Sequence, residues 1–485
     1  MRILKKILIA LLVAVVVTAI AVWWLTRPVE ATIPLDDTTG TDPTLVEPDP
    51  QTFPTVGVVS PVGWGEGEAP TAAQDLVVNR FAEGLDHPRV IYTLPNGDVL
   101  VTLTNAPDRP VAGGFFTNLV AKALFSKAGA AVPSANQLVL LRDGDGDGMA
   151  EERHVLREAD LSSPSGIAWA DGKLYIANHD AILRFDYALG DDVVTGEPEK
   201  LADLPAAGNH WMRNLLLSDD GERLYVAVGS ASNIGESGME VEENRAAIHE
   251  LYLPNLSARL FGAGLRNPNG MAFNPWTGEL WTTVNERDML GSDLVPDYMT
   301  NVPIGANYGW PWVYFGDVVD ERVEAPMPRF LTDYSRRPEY ALGAHVAALG
   351  LTFTGEGNRM GMGQGAFIAR HGSWNRVPQS GYDVVFVAFD DRGNPTGKPV
   401  PVLTNFLIDD EQTRGRPTWL AWDRTGALLV SDDTANIIWR VQSPTATPGT
   451  AIERNTGERL PPRRQLQGDP RRAFEEGAIP MSDVM

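Results

Sequence analysis

The chain has 485 residues, 43% hydrophobic and 21% charged, the composition of a folded globular protein able to bury one large core or two ordinary ones. Forty basic against 63 acidic side chains leave a formal charge of −23, which argues against nucleic acid as a partner, because phosphate backbones need a basic surface. The sequence has no cysteine, so disulfides, thiolate catalysis, iron–sulfur clusters and covalently attached haem are excluded.

The N-terminus reads "MRILKKILIALLVAVVVTAIAVWWLTRP". Arg2, Lys5 and Lys6 precede about twenty apolar residues, 7–25, which end at the interface-loving Trp23 and Trp24. This pattern predicts a signal-anchor helix within residues 1–26, with the rest of the chain on the periplasmic or extracellular side of an inner membrane; "VEA" at 29–31 leaves cleavage open. Residues 27–75, rich in Pro, Thr and Asp, read as an extended tether.

Between 85 and 433 one phrase recurs: a Pro or polar start, an apolar strand, a turn of the Asp/Asn-Gly type, and a second apolar strand. It appears as "LDHPRVIYTLPNGDVLVTLT" (85–104), "LSSPSGIAWADGKLYIANHD" (161–180), "HWMRNLLLSDDGERLYVAVG" (210–229), "LRNPNGMAFNPWTGELWTTVN" (265–285) and "RGRPTWLAWDRTGALLVSDD" (414–433). A looser copy is "LGLTFTGEGNRMGMGQGAFIARHG" (349–372). Six copies at intervals of roughly 50–80 residues predict an all-β, six-bladed β-propeller of four-stranded antiparallel blades over 76–442. A pair of β-sandwiches gives no reason for one hairpin phrase to recur. Residues 443–485 form a polar tail without periodicity.

Between the first and second copies lies "DGDGDGMAEERH". Asp143, Asp145 and Asp147 alternate with glycines as in an EF-hand, but the twelfth position is His154 rather than a bidentate Glu, and the flanks look like strands. With Glu151 at the ninth position the segment reads as a strand-connecting structural calcium clamp, or else a solvated acidic turn.

The repeats begin with cations: His87 and Arg89, His210 and Arg213, Arg266, then Arg414 and Arg416, with His345 and His371 flanking the looser copy. Singly, each is a satisfied structural side chain; together they predict a positive pocket for a polyanionic ligand where inner strands converge. Arg414 and Arg416 alternate, so on an extended strand they would face one side.

"GNHWMRNLLLSDDGERLYVAVGS", "GLRNPNGMAFNPWTGELWTTVNERD", "GANYGWPWVYFG", "RHGSWNR" and "RGRPTWLAWD" resemble the sorbosone and soluble glucose dehydrogenase family over residues 80–441. These are six-bladed propellers that use pyrroloquinoline quinone with Ca2+. The resemblance implies an aldose- or sorbosone-type dehydrogenase that moves hydride from a sugar or sugar-aldehyde to the C5 carbonyl carbon of the cofactor. Electrons then leave to a membrane quinone or a soluble cytochrome. His210 matches the general base, and Arg266 the arginine that stabilises charge on the quinone oxygens. Asn267 and Asn269 match the polar positions beside it, Arg414 and Arg416 match the pair that holds cofactor carboxylates, and Arg89 and His371 match weaker cofactor contacts. Backbone carbonyls of Glu286 and Arg287 match the ligands of the cofactor's calcium. Asp288, Asp293 and Asp297 either hold a metal or cap turns.

Three departures stand out. Asn209 replaces an Asp before the base, the family's cofactor-binding Lys has no counterpart beyond His371, Ser373 or Arg376, and "LSSPSG" lacks the cofactor Gln. These place the chain nearer the sorbosone branch. Two other readings remain: a propeller lactonase, which needs a metal held by side chains such as Asn178 and Asp180, and a non-catalytic binding propeller.

Overall fold

The computed structural model describes residues 27–449 except 52–53, 108–121 and 207, together with scattered positions between 5 and 20. Six antiparallel sheets surround one axis, and the sequence repeats are their innermost hairpins. The six inner strands are β1 (Pro88–Thr93), β2 (Gly166–Ala170), β3 (Leu215–Leu217), β4 (Asn267–Phe273), β5 (Ala348–Phe353) and β6 (Pro417–Trp422). Each touches the next, and β6 returns to β1, so the ring is closed. The expected six-bladed propeller is therefore the fold.

Chain closure uses the two ends of the propeller. Strand Val77–Glu83 forms the outer edge of the sixth blade, pairing antiparallel with Ile437–Gln442 from Glu83 opposite Ile437 to Val77 opposite Gln442. A radial sheet closed in this way needs no free inner edge.

Burial follows position within a blade. The second strand of the first blade, Val99–Leu103, is buried at every residue because neighbouring blades cover both its faces. The outer strand Val77–Glu83 is mostly exposed or half-buried, with Phe81 alone in it buried. The apolar clusters lie in the seams: Leu224, Val226 and Val228 with Tyr175 and Ile182 between the second and third blades, and Trp281 and Met299 with Ile368 and Val385 between the fourth and fifth. Each such side chain contributes about 1.5–3 kcal/mol by leaving water.

Antiparallel pairing fixes which rim each loop occupies. An inner strand starts on the same rim where the second strand of its blade ends, and where the third begins. The loop 143–151, which joins the third strand Gln137–Arg142 to the fourth strand Glu152–Arg157, therefore lies on the opposite rim.

Two readings of the N-terminal region differ from the structure. Most of residues 1–26 lie outside the described residues, and among those described no helix is long and apolar enough to cross a membrane. Crossing needs some 18–20 continuous apolar helical residues. The membrane-anchor helix, the inner-membrane location and the periplasmic side inferred from it are corrected accordingly. The segment expected as a tether runs along the propeller. Thr39–Gly40 pairs with the outer strand Tyr340–Ala344 of the fourth blade, Thr71–Ala72 with the end of Pro395–Thr404 of the fifth, and Ser60–Pro61 with Gln412–Thr413. Two outer sheet edges thus gain partners, which suppresses edge-to-edge association. The expected tail beyond 449 lies outside the described residues.

Candidate functional site

The rim where the inner strands start gathers the basic side chains into two adjoining sectors. The first forms around Asp433, just after the second strand of the sixth blade. Arg89, on β1, donates to its carboxylate at 2.7 Å, and His371, after the second strand of the fifth blade, meets it at 3.0 and 3.1 Å through Nε2. Arg416, just before β6, donates to the carbonyls of His371 at 3.0 Å and Gly372 at 2.8 Å and lies over Tyr382.

Electrostatics set the charge states here. Burial, then the Arg416 guanidinium, pushes His371 down to about 4 from its ordinary 6.5, so the ring is neutral at pH 7. A carboxylate only accepts, so Nε2 carries the proton and Nδ1 the lone pair. For Asp433 burial alone would raise the pKa; His371, Arg89 and Arg416 outweigh it and hold the group below the usual carboxylate range. One carboxylate thus faces two guanidiniums, and Nε of Arg89 is buried without a hydrogen-bond partner among the described residues. Asp432, next in the chain and also buried, is raised by burial to about 6.

The second sector centres on Arg266, immediately before β4 and only 5% exposed. Its guanidinium donates to Asp288 at 3.0 Å, to the side-chain oxygen of Asn233 at 2.8 Å, and to the backbone carbonyls of Asn233 and Glu286. His345 approaches Asp288 at 3.5 Å and donates from Nε2 to the carbonyl of Gly291 at 3.0 Å. Burial opposes the charged ring, yet Asp288 raises His345 above its ordinary value. Asp288 in turn lies below the carboxylate range: burial would raise it, and Arg266, His345 and then His210 overcome that.

His210 joins the sectors. Its Nδ1 lies 2.9 Å from the carbonyl of Ser230 and 3.1 Å from that residue's hydroxyl. A carbonyl accepts only, so Nδ1 bears the proton and Nε2 the lone pair. The Ser230 hydroxyl donates to the carbonyl of Ser232 at 2.7 Å, and the buried Glu242 carboxylate accepts from the backbone N–H groups of Ala231 at 2.7 Å and Ser232 at 2.9 Å. The turn that orients the imidazole is therefore braced from behind. Gly229 makes the juxtaposition possible: a Cβ there would stand 2.3 Å from Asn267 Oδ1 and 2.6 Å from His210 Cβ. Trp211, next in sequence, lies beneath the Arg89 guanidinium with 5.4 Å to the ring centroid. Asn269, buried behind Asn267, donates to the latter's carbonyl at 3.0 Å.

Several expected site residues stand elsewhere. Arg414 and Arg416 precede β6 in a loop rather than on a strand, and they diverge: Arg414 lies over Trp64 and donates to Asn405, away from Asp433. His87 faces the carbonyl of Gly129, and Arg213 is a buried strut donating to the carbonyls of His210, Met212 and Pro205. The Arg287 side chain is also a strut, fully buried between Glu286 and Asp320. Asp293 accepts from Thr32 and Arg376, and Asp297 accepts from the N–H groups of Glu286 and Ala347, so both brace loops. Asp143, Asp145, Asp147 and Glu151 form the acidic cluster among the described residues whose ligand atoms all lie within 4.8 Å of one another, on the far rim. Sequence reasoning missed the counter-ion Asp433 and the orienting Ser230, although each lies within two residues of the end of a blade's second strand.

The donor set suits an anionic cofactor. Arg89 and Arg416 bring two guanidiniums to one sector of the rim, the planar forks that carboxylates of a small polyanion require. Oxygen donors of the kind calcium takes cluster beside them, the Glu286 carbonyl and Asp288 carboxylate, both held by Arg266.

Comparison with known proteins agrees with this geometry. The TrAA12-like family model matches residues 134–303 and 331–444. An uncharacterized protein of Borreliella burgdorferi is 27% identical over 297 residues, 58% of this chain and 76% of its own. A pyrroloquinoline quinone-dependent sugar dehydrogenase of Hypocrea jecorina is 24% identical over 355 residues, 62% of this chain and 79% of its own. Among solved structures, the calcium structure of the Trichoderma reesei family AA12 enzyme superposes with a TM-score of 0.63 at 21% identity, covering 77% of this chain and 97% of that one. The holo form of the pyranose dehydrogenase PQQ domain from Coprinopsis cinerea gives 0.60 at 19%, covering 79% and 100%. The resemblance to pyrroloquinoline quinone-dependent sugar dehydrogenases therefore holds, and the chain belongs to the TrAA12-like family.

Proposed function

We propose that the protein is a quinoprotein oxidoreductase that oxidises a sugar or sugar-aldehyde with pyrroloquinoline quinone and Ca2+ at the cationic rim, passing electrons to an external quinone or cytochrome. The observation that carries this reading is the His210 tautomer. Its proton is committed to Ser230, so the lone pair lies on Nε2, beside two arginine-bearing sectors.

When bound, the quinone supplies the two-electron acceptor for the substrate's hydride and the calcium a Lewis acid. The chain's own residues do the rest. His210 takes the proton of the substrate hydroxyl at Nε2, and the imidazolium so formed is held by the Ser230 carbonyl and faces the Asp288 carboxylate. Arg266, fixed by four acceptors, presents positive charge where negative charge develops. Arg89 and Arg416 bind the cofactor's carboxylates. His371, whose Nδ1 is an acceptor, serves as a packing surface rather than a donor to them. Asn267 and Asn269 fix the polar wall beside Arg266, and the carbonyls of Glu286 and Arg287 hold the calcium. The acidic loop at 143–151 is assigned a second, structural Ca2+. The catalytic unit is taken as 76–442.

The lactonase reading finds little support. Asn178 is engaged as an acceptor for Ser162 N–H and a donor to the Asp160 carbonyl, and the central rim is cationic. Titrating the purified protein with pyrroloquinoline quinone and Ca2+, then adding a panel of aldoses, tests the proposal by absorbance. Bleaching of the bound cofactor on sugar addition is the expected result, and absence of any cofactor binding would overturn it.

A further inference from the structure

The residues that precede the propeller are built into the same rim. Asp49 and Gln51 donate backbone N–H groups to the carbonyls of Leu290 and Met289, just beyond Asp288. Asn375, in the loop after His371, donates to the carbonyl of Thr55 at 2.7 Å, and Gly57 donates to the carbonyl of Trp374. Ser60–Pro61 pairs with Gln412–Thr413, directly before Arg414. One arm thus staples three loops that carry residues of the proposed site.

Its deepest contact is Trp64. The indole N–H donates at 3.0 Å to Oδ2 of Asp432, which is fully buried. The ring stands edge-on to Phe406 and Trp439, each at 5.4 Å between centroids, and its face lies under the Arg414 guanidinium at 5.6 Å. Asp432 spends its other oxygen on the backbone: Oδ1 accepts from Arg416 N at 2.8 Å and Ala435 N at 3.1 Å, while Trp439 Nε1 shares Oδ2 at 3.3 Å. The motif Arg-Gly-Arg then has a physical explanation. Gly415 passes over this carboxylate so closely that a Cβ would lie 2.0 Å from Oδ2.

We propose that Trp64 is a positioning residue of the cofactor site: its N–H fixes the Asp432 carboxylate, which fixes the Arg416 backbone and so aims that guanidinium at the anionic cofactor. This rests on the functional reading above. Four donors share the carboxylate, two on each oxygen, and one of them, the Arg416 N–H, belongs to the segment that must be aimed. Phenylalanine at position 64 would keep the aromatic packing and remove only the donor.

The test uses the full chain with pyrroloquinoline quinone and Ca2+, reading Kd by isothermal titration and the apo melting temperature alongside. Trp64→Phe is expected to weaken cofactor binding about tenfold with little change in apo melting. In an Arg416→Ala background the same substitution should have no further effect on Kd, because its influence runs through Arg416. Gly415→Ala, which crowds the same carboxylate, should weaken binding likewise and decides the matter if Trp64→Phe fails to fold. Unchanged binding in these variants, or additivity of Trp64→Phe with Arg416→Ala, overturns the proposal while leaving the functional reading intact. Failure of the wild type to bind the quinone overturns both.

Discussion

Arg89 donates to the Asp433 carboxylate at 2.7 Å, and this one ion pair joins the first blade to the sixth beside the axis. His371 of the fifth blade shares the same acceptor, so three blades meet at a single buried carboxylate. Removing one partner of a buried pair leaves uncompensated charge. Asp433→Ala should therefore cost about 3 kcal/mol of stability, read from denaturant melts, because two guanidiniums lose their counter-ion at once. Loss under about 1 kcal/mol would mean that water already screens the pair.

His371 gives the site an acid sensitivity of known sign. Its pKa is about 4 in the fold against an ordinary 6.5, so the unfolded chain binds a proton over a range where the native ring does not. The stability contribution is therefore complete above pH 6.5 and is lost as pH falls through about 4, by about 3 kcal/mol at most. Asp433, also depressed, adds a loss of the same sign below the usual carboxylate range. In His371→Gln, unfolding free energy should depend less steeply on pH between 6.5 and 4 than in wild type. Parallel curves would show that the ring is not held neutral.

His210 and Ser230 separate chemistry from binding. His210→Ala should lower kcat by about 10²–10⁴-fold, the range of a lost general base, while the cofactor Kd changes about twofold or less. Ser230→Ala keeps the carbonyl that holds Nδ1–H at 2.9 Å and removes only the hydroxyl at 3.1 Å, so a loss of about three- to tenfold in kcat is expected. Pre-steady-state absorbance of the bound cofactor measures both. A His210→Ala enzyme with wild-type kcat would remove His210 from the base role.

The propeller was legible because each inner hairpin repeats two apolar strands about an Asp/Asn-Gly turn, a pattern that seam burial imposes six times. The basic residues of the rim were legible for a related reason: Arg89, His210, Arg266 and Arg416 all fall at the start of a repeat, hence at one end of the wheel. Their partners were not. Asp433 is one among 63 acidic residues, and Asp288 stood out only as a metal ligand or turn cap; the three-dimensional meeting of blades alone pairs them with Arg89 and Arg266. Arg414 and Arg416 were misjudged because alternation implies a shared face only on a strand, and Gly415 bends the chain over Asp432 instead. The arm at 27–75 was illegible for want of periodicity: it docks through scattered backbone hydrogen bonds and single side chains such as Trp64.

The acidic loop provides the remaining test, and its place on the far rim makes the result clean. Asp143 accepts from Gly146 N at 2.7 Å and Gly148 N at 3.0 Å, Asp145 from Asp147 N at 3.1 Å, and Glu151 from Gly144 N at 3.0 Å. The backbone thereby turns four carboxylates inward to within 4.8 Å of one another, where like charges repel unless a cation neutralises them. Calcium at a hundred times its Kd should stabilise the cofactor-free protein by about 2.7 kcal/mol through this loop. Asp145→Asn combined with Asp147→Asn should abolish most of that gain in melting temperature and leave the affinity for pyrroloquinoline quinone as in wild type. An equal calcium-dependent rise in the double variant would identify the loop as a solvated acidic turn, with the calcium effect arising at the catalytic rim.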